Sequence, residues 1–336
     1  MGFGSILRKR TIVAATMLEG QGVHDAVVRI SRPIDTFLTL FHKRVERAAP
    51  IFIMGPQRSG TTLFYKCFQQ HQQVCWLDQA TDYFPECFIS ASLYFRSIGA
   101  TDRVDFLDRY DLKKDLWIRT WKNHGYTYTE GNRIWNKLGP RGSWLSNEHR
   151  SWAMRSYPRM VDRLQRFTDK AIFLNKCPAN ALRIGQLLEL FPDARFIHVE
   201  RDPRGVINSI HNIHRALGVK SWGPMPVPAS ELEGLTEYEG LARQWVAITD
   251  AIQQGLQAVP DERKYVVRYE DFIGAPDTTL AAIASAFGLE PFRAPLSTEI
   301  RAERMDGWRK EIPAEEIMRI ERIIHDAGHA ASMGPV

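Results

Sequence analysis

Near residue 50, a short apolar run is followed by a glycine-containing turn and then by a helical pattern. Ile51–Met54 has the length and composition typical of a buried strand. The next eight residues, 55–62, read GPQRSGTT and lead into apolar residues at helical spacing. The first N–H groups of a helix have no intrahelical partner, and the helix dipole favours negative charge there. The segment therefore predicts a binding site for an anion such as phosphate.

The glycine spacing of this turn matches a nucleotide phosphate loop except at one position. Four residues separate Gly55 from Gly60, but Thr61 stands where nucleoside triphosphatases carry a lysine. That lysine serves the β- and γ-phosphates. Its replacement, with Arg58 nearby, indicates a phosphate-bearing nucleotide other than ATP or GTP.

Charge is concentrated at the start of the chain. The 336 residues carry a net charge of +5, and residues 1–50 hold eight Lys or Arg against four Asp or Glu. Because the rest is near neutral, a nucleic-acid partner is not expected. The four cysteines, 67, 75, 87 and 177, have neither metal-ligand nor disulfide spacing, which predicts a reducing, cytoplasmic setting.

Residues 1–49 are predicted to form a helical arm. Apolar and basic residues alternate at helical spacing over residues 12–47, which indicates one or two amphipathic helices broken near Pro33. The arm could pack on the domain, contact a second subunit, or lie on a membrane surface. No run has the apolar length of a membrane span, and the short stretch after Arg8-Lys9-Arg10 does not match a signal sequence.

Residues 50–336 are predicted to form a single α/β domain with a mostly parallel sheet flanked by helices. Apolar strand-like runs near residues 51, 74, 171, 195 and 264 alternate with helical patterns, among them 203–210, 237–257, 276–287 and one from Pro178 through Leu190. Residues 100–165 are expected to be the least regular part. This insertion holds tryptophans at 117, 121, 135, 144 and 152, which either line an acceptor cleft or form a satellite hydrophobic cluster.

A second informative stretch runs from Arg201 to Ser209. Arg201 follows the apolar run 195–199, at the end of a strand where open α/β sheets bind ligands. Asp202 and Pro203 are typical of a helix start. Ser209 would lie about two turns into that helix, so both residues could hold one phosphate.

Four stretches, in this order, resemble the sulfotransferase family that uses 3′-phosphoadenylyl sulfate (PAPS). PQRSGTTL at 56–63 resembles the 5′-phosphosulfate loop, and ERDPRGVINS at 200–209 resembles the 3′-phosphate motif. NKCP at 175–178 and RYED at 268–271 resemble further family landmarks. The likeness spans residues 51–271 and is greatest to the bacterial branch similar to tyrosylprotein and carbohydrate sulfotransferases.

The resemblance implies in-line transfer of a sulfuryl group from PAPS to an acceptor hydroxyl, without a metal. It places the 5′-phosphosulfate on Arg58, Ser59, Gly60, Thr61 and Thr62, the 3′-phosphate on Arg201 and Ser209, and Tyr269 against the nucleotide. Lys176 stands at the place of the family's transition-state lysine, with Arg58 as a second cation.

The resemblance leaves the general base open between two residues. Asp78, with Asp82 and Glu86 nearby, stands where one branch carries a carboxylate after the loop helix. An aspartate is a weak base unless apolar neighbours such as Trp76 and Phe84 surround it. His149 is the alternative because histidine titrates near neutral pH.

The segment 301–309, with Arg301, Arg304 and Trp308, resembles a loop that closes over the nucleotide. It departs from the family pattern at Gly307, where a basic residue is common, and Ser297 is a further candidate hydroxyl donor.

Two other functions fit parts of the pattern. The glycine spacing also suits a P-loop kinase or NTPase, and the scaffold could serve a noncatalytic nucleotide-binding protein. The acceptor is expected to be a carbohydrate, a lipid or another natural-product alcohol, with the basic arm suited to a homodimer or to a peripheral membrane contact.

Overall fold

The structure is a computed structural model that describes residues 21–40, 48–78, 81–82, 84–97, 130–139, 143–221, 223–296, 300 and 307–334. Within these residues, five parallel strands form a sheet in the order β2-β3-β1-β4-β5. The strands are β1 (Ile51–Met54), β2 (Val74–Cys75), β3 (Ile172–Lys176), β4 (Arg195–Glu200) and β5 (Lys264–Arg268). The predicted α/β architecture with a parallel sheet is confirmed.

Helices flank the sheet. In the described part of the chain they are α1 (Gln21–Leu40), α2 (Thr61–Phe68), α3 (Phe88–Ser97), α4 (Asn132–Trp135), α5 (Asn147–Thr168), α6 (Ile184–Leu190), α7 (Pro203–Leu217), α8 (Glu237–Leu256), α9 (Tyr269–Gly274), α10 (Pro276–Ala286), α11 (Trp308–Glu311) and α12 (Ala314–Asp326). Among these residues, no helix combines the length and apolarity that crossing a membrane requires.

β1 is buried on both faces, which explains its uninterrupted apolar sequence. Phe52 and Met54 pack into one hydrophobic cluster, and Ile51 and Ile53 pack into a second one. Successive side chains of a strand point to opposite faces, so these clusters lie on opposite sides of the sheet. β1 pairs with β3 through Ile53 and Lys176, and with β4 on its other edge.

The helix of the N-terminal arm continues through Pro33, so the predicted break is wrong. α1 runs from Gln21 to Leu40 with the proline inside it. Pro33 and Arg29, whose carbonyl loses its hydrogen bond to residue 33, are both exposed. Water can therefore take the place of the missing backbone donor, and this lowers the cost of a proline inside the helix.

Two other predictions about helices need correction. The end of the insertion is regular, because residues 147–168 form α5, which is 22 residues long and begins at a Ser146 cap. The helix expected from Pro178 to Leu190 is instead a 3-10 turn, Pro178–Leu182, followed by α6. Arg183 separates them with a φ of −134°, which is incompatible with a continuous helix.

Part of the aromatic insertion belongs to the core. Trp135 is fully buried and contacts Phe52 of β1, with 5.9 Å between ring centroids, and stacks on Tyr157 at 5.4 Å. Trp152 is 37% exposed. Trp117, Trp121, Tyr126 and Tyr128 lie outside the described residues. Trp135 therefore belongs to the main core and not to a separate satellite cluster, and at 0% exposure it does not line a cleft.

The carboxyl ends of all five described strands carry residues that the sequence predicted to be functional. The loop 55–60 follows β1, Asp78 comes three residues after β2, and Lys176 ends β3. Arg201 follows β4, and Tyr269 follows β5. In a parallel sheet these ends meet at one edge, where ligands of open α/β folds bind.

Candidate active site

The turn after β1 has the backbone geometry of an anion-binding loop. Arg58 has a φ of 69° and Gly60 a φ of 85°. α2 begins at Thr61, directly after the left-handed Gly60. Such a turn before a helix directs several N–H groups toward one concave side, where an anion can accept them.

Gly55 and Ser59 pack the loop tightly against β4. A Cβ atom at Gly55 would stand 2.6 Å from the Val199 carbonyl oxygen and 2.7 Å from Ser59 Oγ, so only glycine fits. Ser59 is fully buried, and its hydroxyl has no hydrogen-bond partner among the described residues. A buried polar group without a partner costs roughly 1–3 kcal/mol. An anion held in the loop would supply the missing partner.

Gly60 is the second position in the loop that requires glycine. A Cβ atom there would lie 2.1 Å from Cε2 of Tyr269, the first residue of α9. On the same tyrosine, the Arg201 guanidinium carbon lies 4.7 Å from the ring centroid. The loop, the end of β4 and the start of α9 therefore meet at the Tyr269 ring.

The two motifs that were predicted to hold different phosphates are in direct contact. Arg58 Nε donates a hydrogen bond to Ser209 Oγ at 3.0 Å. Arg201 Nη1 donates to the carbonyl oxygen of Arg58 at 2.9 Å. The side chain of Arg58 thus points toward Ser209 on α7. This placement favours a binding role for Arg58, while its participation in transfer stays a prediction.

Lys176 lies buried at the end of β3 and forms an ion pair that the sequence did not predict. Its side chain is 3% exposed, and its Nζ donates to Oε1 of Glu130, which is 29% exposed. Asn175, the neighbouring strand residue, donates from Nδ2 to the Glu130 carbonyl oxygen at 3.3 Å. The site therefore contains a buried ammonium group beside the phosphate loop, with a carboxylate held against it.

Asp78 follows β2, and one of its carboxylate oxygens is hydrogen-bonded to Thr81. Its Oδ1 accepts hydrogen bonds from the Thr81 backbone N–H at 2.8 Å and from the Thr81 hydroxyl at 2.6 Å. Asp82 is buried, and its Oδ1 accepts from the Ile134 N–H at 3.2 Å. The Asp82 carboxylate has a structural contact, and the assignment of Asp78 as the base stays a prediction.

His149 lies in the first turn of α5 among aromatic rings. Its ring centroid is 6.0 Å from that of Trp144 and 5.6 Å from that of Trp152. Its Nδ1 is enclosed and has no hydrogen-bond partner in the described part of the chain. None of these contacts involves the phosphate loop or Lys176, so a catalytic role for His149 stays a prediction.

Trp308 is buried beneath two arginine side chains. It is 3% exposed, with the guanidinium carbon of Arg204 at 4.2 Å and that of Arg309 at 4.5 Å from the ring centroid. Arg204 is itself held by Asp202 through two hydrogen bonds of 3.0 and 2.6 Å. Arg301, Arg304 and Ser297 lie outside the described residues. Contact between Trp308 and a nucleotide stays a prediction.

Sequence reasoning missed two charged groups. Glu130 carries no local signal, because 46 residues separate it from its partner Lys176. Lys66 sits on α2, one turn beyond the phosphate loop, and burial lowers its pKa to about 8 despite the opposing effect of Cys67. Its place among the apolar residues of a helix could have been noticed, since a buried lysine is rare.

Taken together, the described residues fit a ligand with phosphate groups at two separate points. The helix start and the Ser59 hydroxyl suit one group. Arg201 and Ser209, on a neighbouring element, suit the other, since guanidinium groups match phosphate oxygens. Lys176 adds a buried positive charge at the adjoining strand end.

Similarity to known proteins agrees with this geometry. The sulfotransferase family model matches residues 50–294. Omega-hydroxy-beta-dihydromenaquinone-9 sulfotransferase Stf3 of Mycobacterium bovis (strain ATCC BAA-935 / AF2122/97) is 32% identical over 267 residues, which cover 72% of this chain and 63% of that protein. The same values apply to Stf3 of Mycobacterium tuberculosis (strain CDC 1551 / Oshkosh). The chain thus spans less than two thirds of the length of these curated relatives.

A solved structure supports the fold. The crystal structure of sulfotransferase STF1 from Mycobacterium tuberculosis H37Rv matches with a TM-score of 0.53 at 15% identity, over 98% of this chain and 86% of that chain. At this identity the likeness concerns the fold alone. The match to the family model over residues 50–294 and the 32% identity to Stf3 show that this chain belongs to the sulfotransferase family.

Proposed function

We propose that this protein moves the sulfuryl group of PAPS to a hydroxyl group of an acceptor. The observation that carries the proposal is the cluster at the carboxyl edge of the sheet. There an anion loop with an unpartnered buried Ser59 hydroxyl contacts Ser209 through Arg58, beside the buried Lys176. The lysine of triphosphatases is absent at Thr61, which favours a phosphosulfate over a triphosphate.

We propose a role for each residue that agrees with its position. The N–H groups at the start of α2, with the hydroxyls of Ser59, Thr61 and Thr62, hold the 5′-phosphosulfate. Arg201 and Ser209 hold the 3′-phosphate, and Tyr269 lies along the nucleotide. Trp308, with Arg301 and Arg304, is proposed to border the nucleotide.

PAPS supplies an activated sulfuryl group whose leaving atom is a phosphate oxygen. Lys176 donates to the oxygen on which negative charge develops, and Arg58 offers a second cation. We propose that these two side chains, rather than a metal ion, meet the charge of the transition state. A buried ammonium suits this role because charges interact more strongly where water is excluded.

We propose that the acceptor is an apolar, lipid-like alcohol. Stf3, at 32% identity, is named for a hydroxylated menaquinone derivative. In this chain, Leu145 is 65% exposed and Trp152 is 37% exposed, near the half-buried Trp144 and His149. This exposed apolar surface is of the kind that would favour an isoprenoid or acyl chain over a free sugar.

We propose further that α1 lies on the surface of an anionic membrane that contains the acceptor. Its exposed face carries Ile30, Pro33, Ile34 and Phe37 in positions that share one side of a helix, and three of them are at least 50% exposed. Arg29 and Arg32 are both exposed, on the same side of this stripe. An apolar stripe bordered by basic side chains is typical of helices that lie in a lipid interface.

Binding of 3′-phosphoadenosine 5′-phosphate (PAP) tests the proposed function. Wild-type protein should bind PAP in isothermal calorimetry, and Arg201→Ala should weaken binding roughly 10- to 100-fold, the value of a charge-assisted hydrogen bond. Arg263→Ala is the control, because Arg263 precedes β5 and bonds to the Pro192 carbonyl at the opposite edge of the sheet. Magnesium-dependent ATP turnover without PAP binding would instead support a kinase or NTPase.

Transfer itself is tested with labelled PAPS and a hydroxylated isoprenoid alcohol such as geraniol. Formation of a sulfated product, lost without the alcohol, supports the assignment. Tight PAP binding without transfer to any alcohol or to water would contradict it and indicate a noncatalytic nucleotide-binding protein.

Flotation with lipid vesicles tests the membrane contact. Wild-type protein should float with vesicles that contain phosphatidylglycerol more than with phosphatidylcholine alone. Replacing Ile30, Ile34 and Phe37 together with Ser should abolish flotation and leave PAP affinity unchanged. Equal flotation of the variant and the wild type would overturn the membrane contact. It would also be overturned if neither protein bound vesicles and the variant were a monomer where the wild type is a dimer.

A further inference from the structure

Glu130 is held against the end of β3 by two contacts. Its carboxylate accepts from Lys176 Nζ, and its main-chain carbonyl accepts from Asn175 Nδ2 at 3.3 Å. Asn175 and Lys176 are the last residues of β3, and Lys176 pairs in register with Ile53 of β1. Glu130 therefore lies at the carboxyl end of β3, next to β1, the strand that leads into the phosphate loop.

Close packing of the next residue holds Glu130 at this position. Gly131 has a φ of 74°, and a Cβ atom there would stand 2.4 Å from Leu77 Cδ1 and 2.8 Å from Trp135 Nε1. Leu77 and Trp135 are both completely buried. The backbone at Gly131 is thus packed against Leu77, two residues after β2, and only glycine allows this approach.

We propose that Glu130 is the general base that removes the proton of the acceptor hydroxyl; this inference rests on the proposed function. The exposures of the two partners support the assignment. The Lys176 side chain is 3% exposed, whereas the Glu130 side chain is 29% exposed. The ammonium is therefore nearly enclosed, and the carboxylate is the more accessible of the two groups, as a base that meets an acceptor has to be.

The proposed step uses both members of the ion pair. Lys176 turns to the bridging phosphate oxygen, and its departure leaves the carboxylate without its ammonium partner. A carboxylate without that partner is a stronger proton acceptor. Glu130 then takes the hydroxyl proton while the acceptor oxygen bonds to sulfur. The bond from sulfur to the bridging oxygen breaks, and its electron pair stays on that oxygen, which Lys176 stabilises.

The contacts of the two earlier candidates favour Glu130. Oδ1 of Asp78 accepts two hydrogen bonds from Thr81, so this oxygen is turned toward the protein's own chain. His149 makes its ring contacts with Trp144 and Trp152. Of Asp78, His149 and Glu130, only Glu130 has a described contact with Lys176, the cation to which we assign a role in transfer.

Glu130→Gln keeps the size of the side chain and removes the base. Three acceptors are compared with PAPS: geraniol, water and 4-nitrophenol, whose hydroxyl ionises near neutral pH. Transfer to geraniol should fall at least about 100-fold, since general bases contribute at least that factor. Transfer to 4-nitrophenol should fall much less, because its proton is already lost. PAP affinity, measured separately by calorimetry, should stay unchanged.

Two matched variants and a rescue sharpen the test. Asp78→Asn should keep most of the activity, and Asp261→Asn should keep all of it, since Asp261 is 96% exposed beside Lys264 before β5. Formate should restore part of the activity of Glu130→Ala by acting as an external base. A merely structural role of Glu130 predicts no such rescue.

Several results would overturn the inference. Glu130→Gln could transfer sulfate to geraniol as fast as wild type does. Its transfer rates to geraniol and to 4-nitrophenol could fall equally, or its PAP affinity could fall. Equal loss would mean that Glu130 only orients Lys176. Wild-type protein that neither binds PAP nor releases it from PAPS with any of the three acceptors refutes the proposed function instead.

Discussion

Lys176 shows how a single charged residue can be kept inside the site. A buried ammonium pays a desolvation cost of several kcal/mol unless a partner offsets it, and Glu130 is that partner here. The same dry surroundings strengthen the attraction between this ammonium and a developing anion. Burial thus makes Lys176 costly in the resting protein and effective in transfer.

Lys176→Met should lower kcat roughly 100- to 1000-fold, as removal of one transition-state donor does in other enzymes. PAP affinity should change little, because the interaction is made mainly in the transition state. Steady-state kinetics with PAPS and calorimetry with PAP measure the two effects. Lys170→Met is the control, since Lys170 Nζ bonds to the Gln72 carbonyl before β3 begins. Equal losses of turnover and affinity would remove Lys176 from the catalytic residues.

Gly60→Ala should damage nucleotide binding beyond its effect on the backbone. Its positive φ costs roughly 1–2 kcal/mol of stability with any side chain, and the new Cβ would also collide with Tyr269. Gly218→Ala isolates the first effect, because Gly218 has a φ of 66° and open space around it. We expect Gly60→Ala to melt no higher than Gly218→Ala, with PAP affinity at least about tenfold lower only for Gly60→Ala. Unchanged PAP affinity would contradict the contact between the loop and Tyr269.

At the scale of elements, α1 is fastened by a buried carboxylate. Asp35 is completely buried and accepts from the N–H groups of Ile89 at 2.8 Å and Ser90 at 2.7 Å, at the start of α3. Arg163 of α5 donates to it at 2.9 Å. One residue thus joins three helices and satisfies orphan donors at a helix start. The exposed stripe of α1 lies on the opposite side.

Asp35→Ala should release α1 without unfolding the sheet. Removing one partner of a buried ion pair lowers the stability of the packed helix by roughly 3 kcal/mol or more. Where amides exchange through local opening, this corresponds to about 100-fold faster exchange. Hydrogen exchange with mass spectrometry should show this in residues 28–39 and not in β1. Thr36→Ala, on the exposed side, should leave exchange nearly unchanged. Equal acceleration in β1 would mean that the helix and the sheet unfold together.

At the scale of the whole molecule, a buried histidine ties stability to pH. His198 lies in the middle of β4, between β1 and β5, and is 2% exposed. Burial, aided by the charge of His329, lowers its pKa from 6.5 to about 4. Protonation is therefore easier in the unfolded chain than in the folded one, and acid favours unfolding.

The free energy of unfolding should fall as the pH drops from about 6.5 to about 4, with a total contribution from His198 of roughly 3 kcal/mol. Above pH 6.5 this contribution is constant. Urea denaturation at several pH values measures it. His198→Phe should flatten the dependence, whereas His325→Gln should not, because His325 is 74% exposed. An unchanged slope in His198→Phe would show that other groups cause the acid sensitivity.

The strands of the sheet and the anion loop could be predicted from the sequence. β1 and β4 were predicted to within one residue because both faces of a central strand are apolar, a local property. The loop was predicted because its glycines and the helix start stand next to each other in the chain. At Pro33 the local sequence predicted a helix break that the structure does not have. The helix continues there because its proline-containing face is exposed to water.

Which side chains contact each other could be learned only from the folded chain. Arg58 contacts Ser209 across 151 residues, and Lys176 pairs with Glu130 across 46. Neither pair leaves a pattern in the sequence, because each depends on how strands and loops are brought together in space. Burial is likewise a tertiary property. The fold packs Arg204 against Trp308 and encloses the ammonium group of Lys176. Periodicity and turn chemistry act between near neighbours, whereas burial and ion pairing act between distant ones.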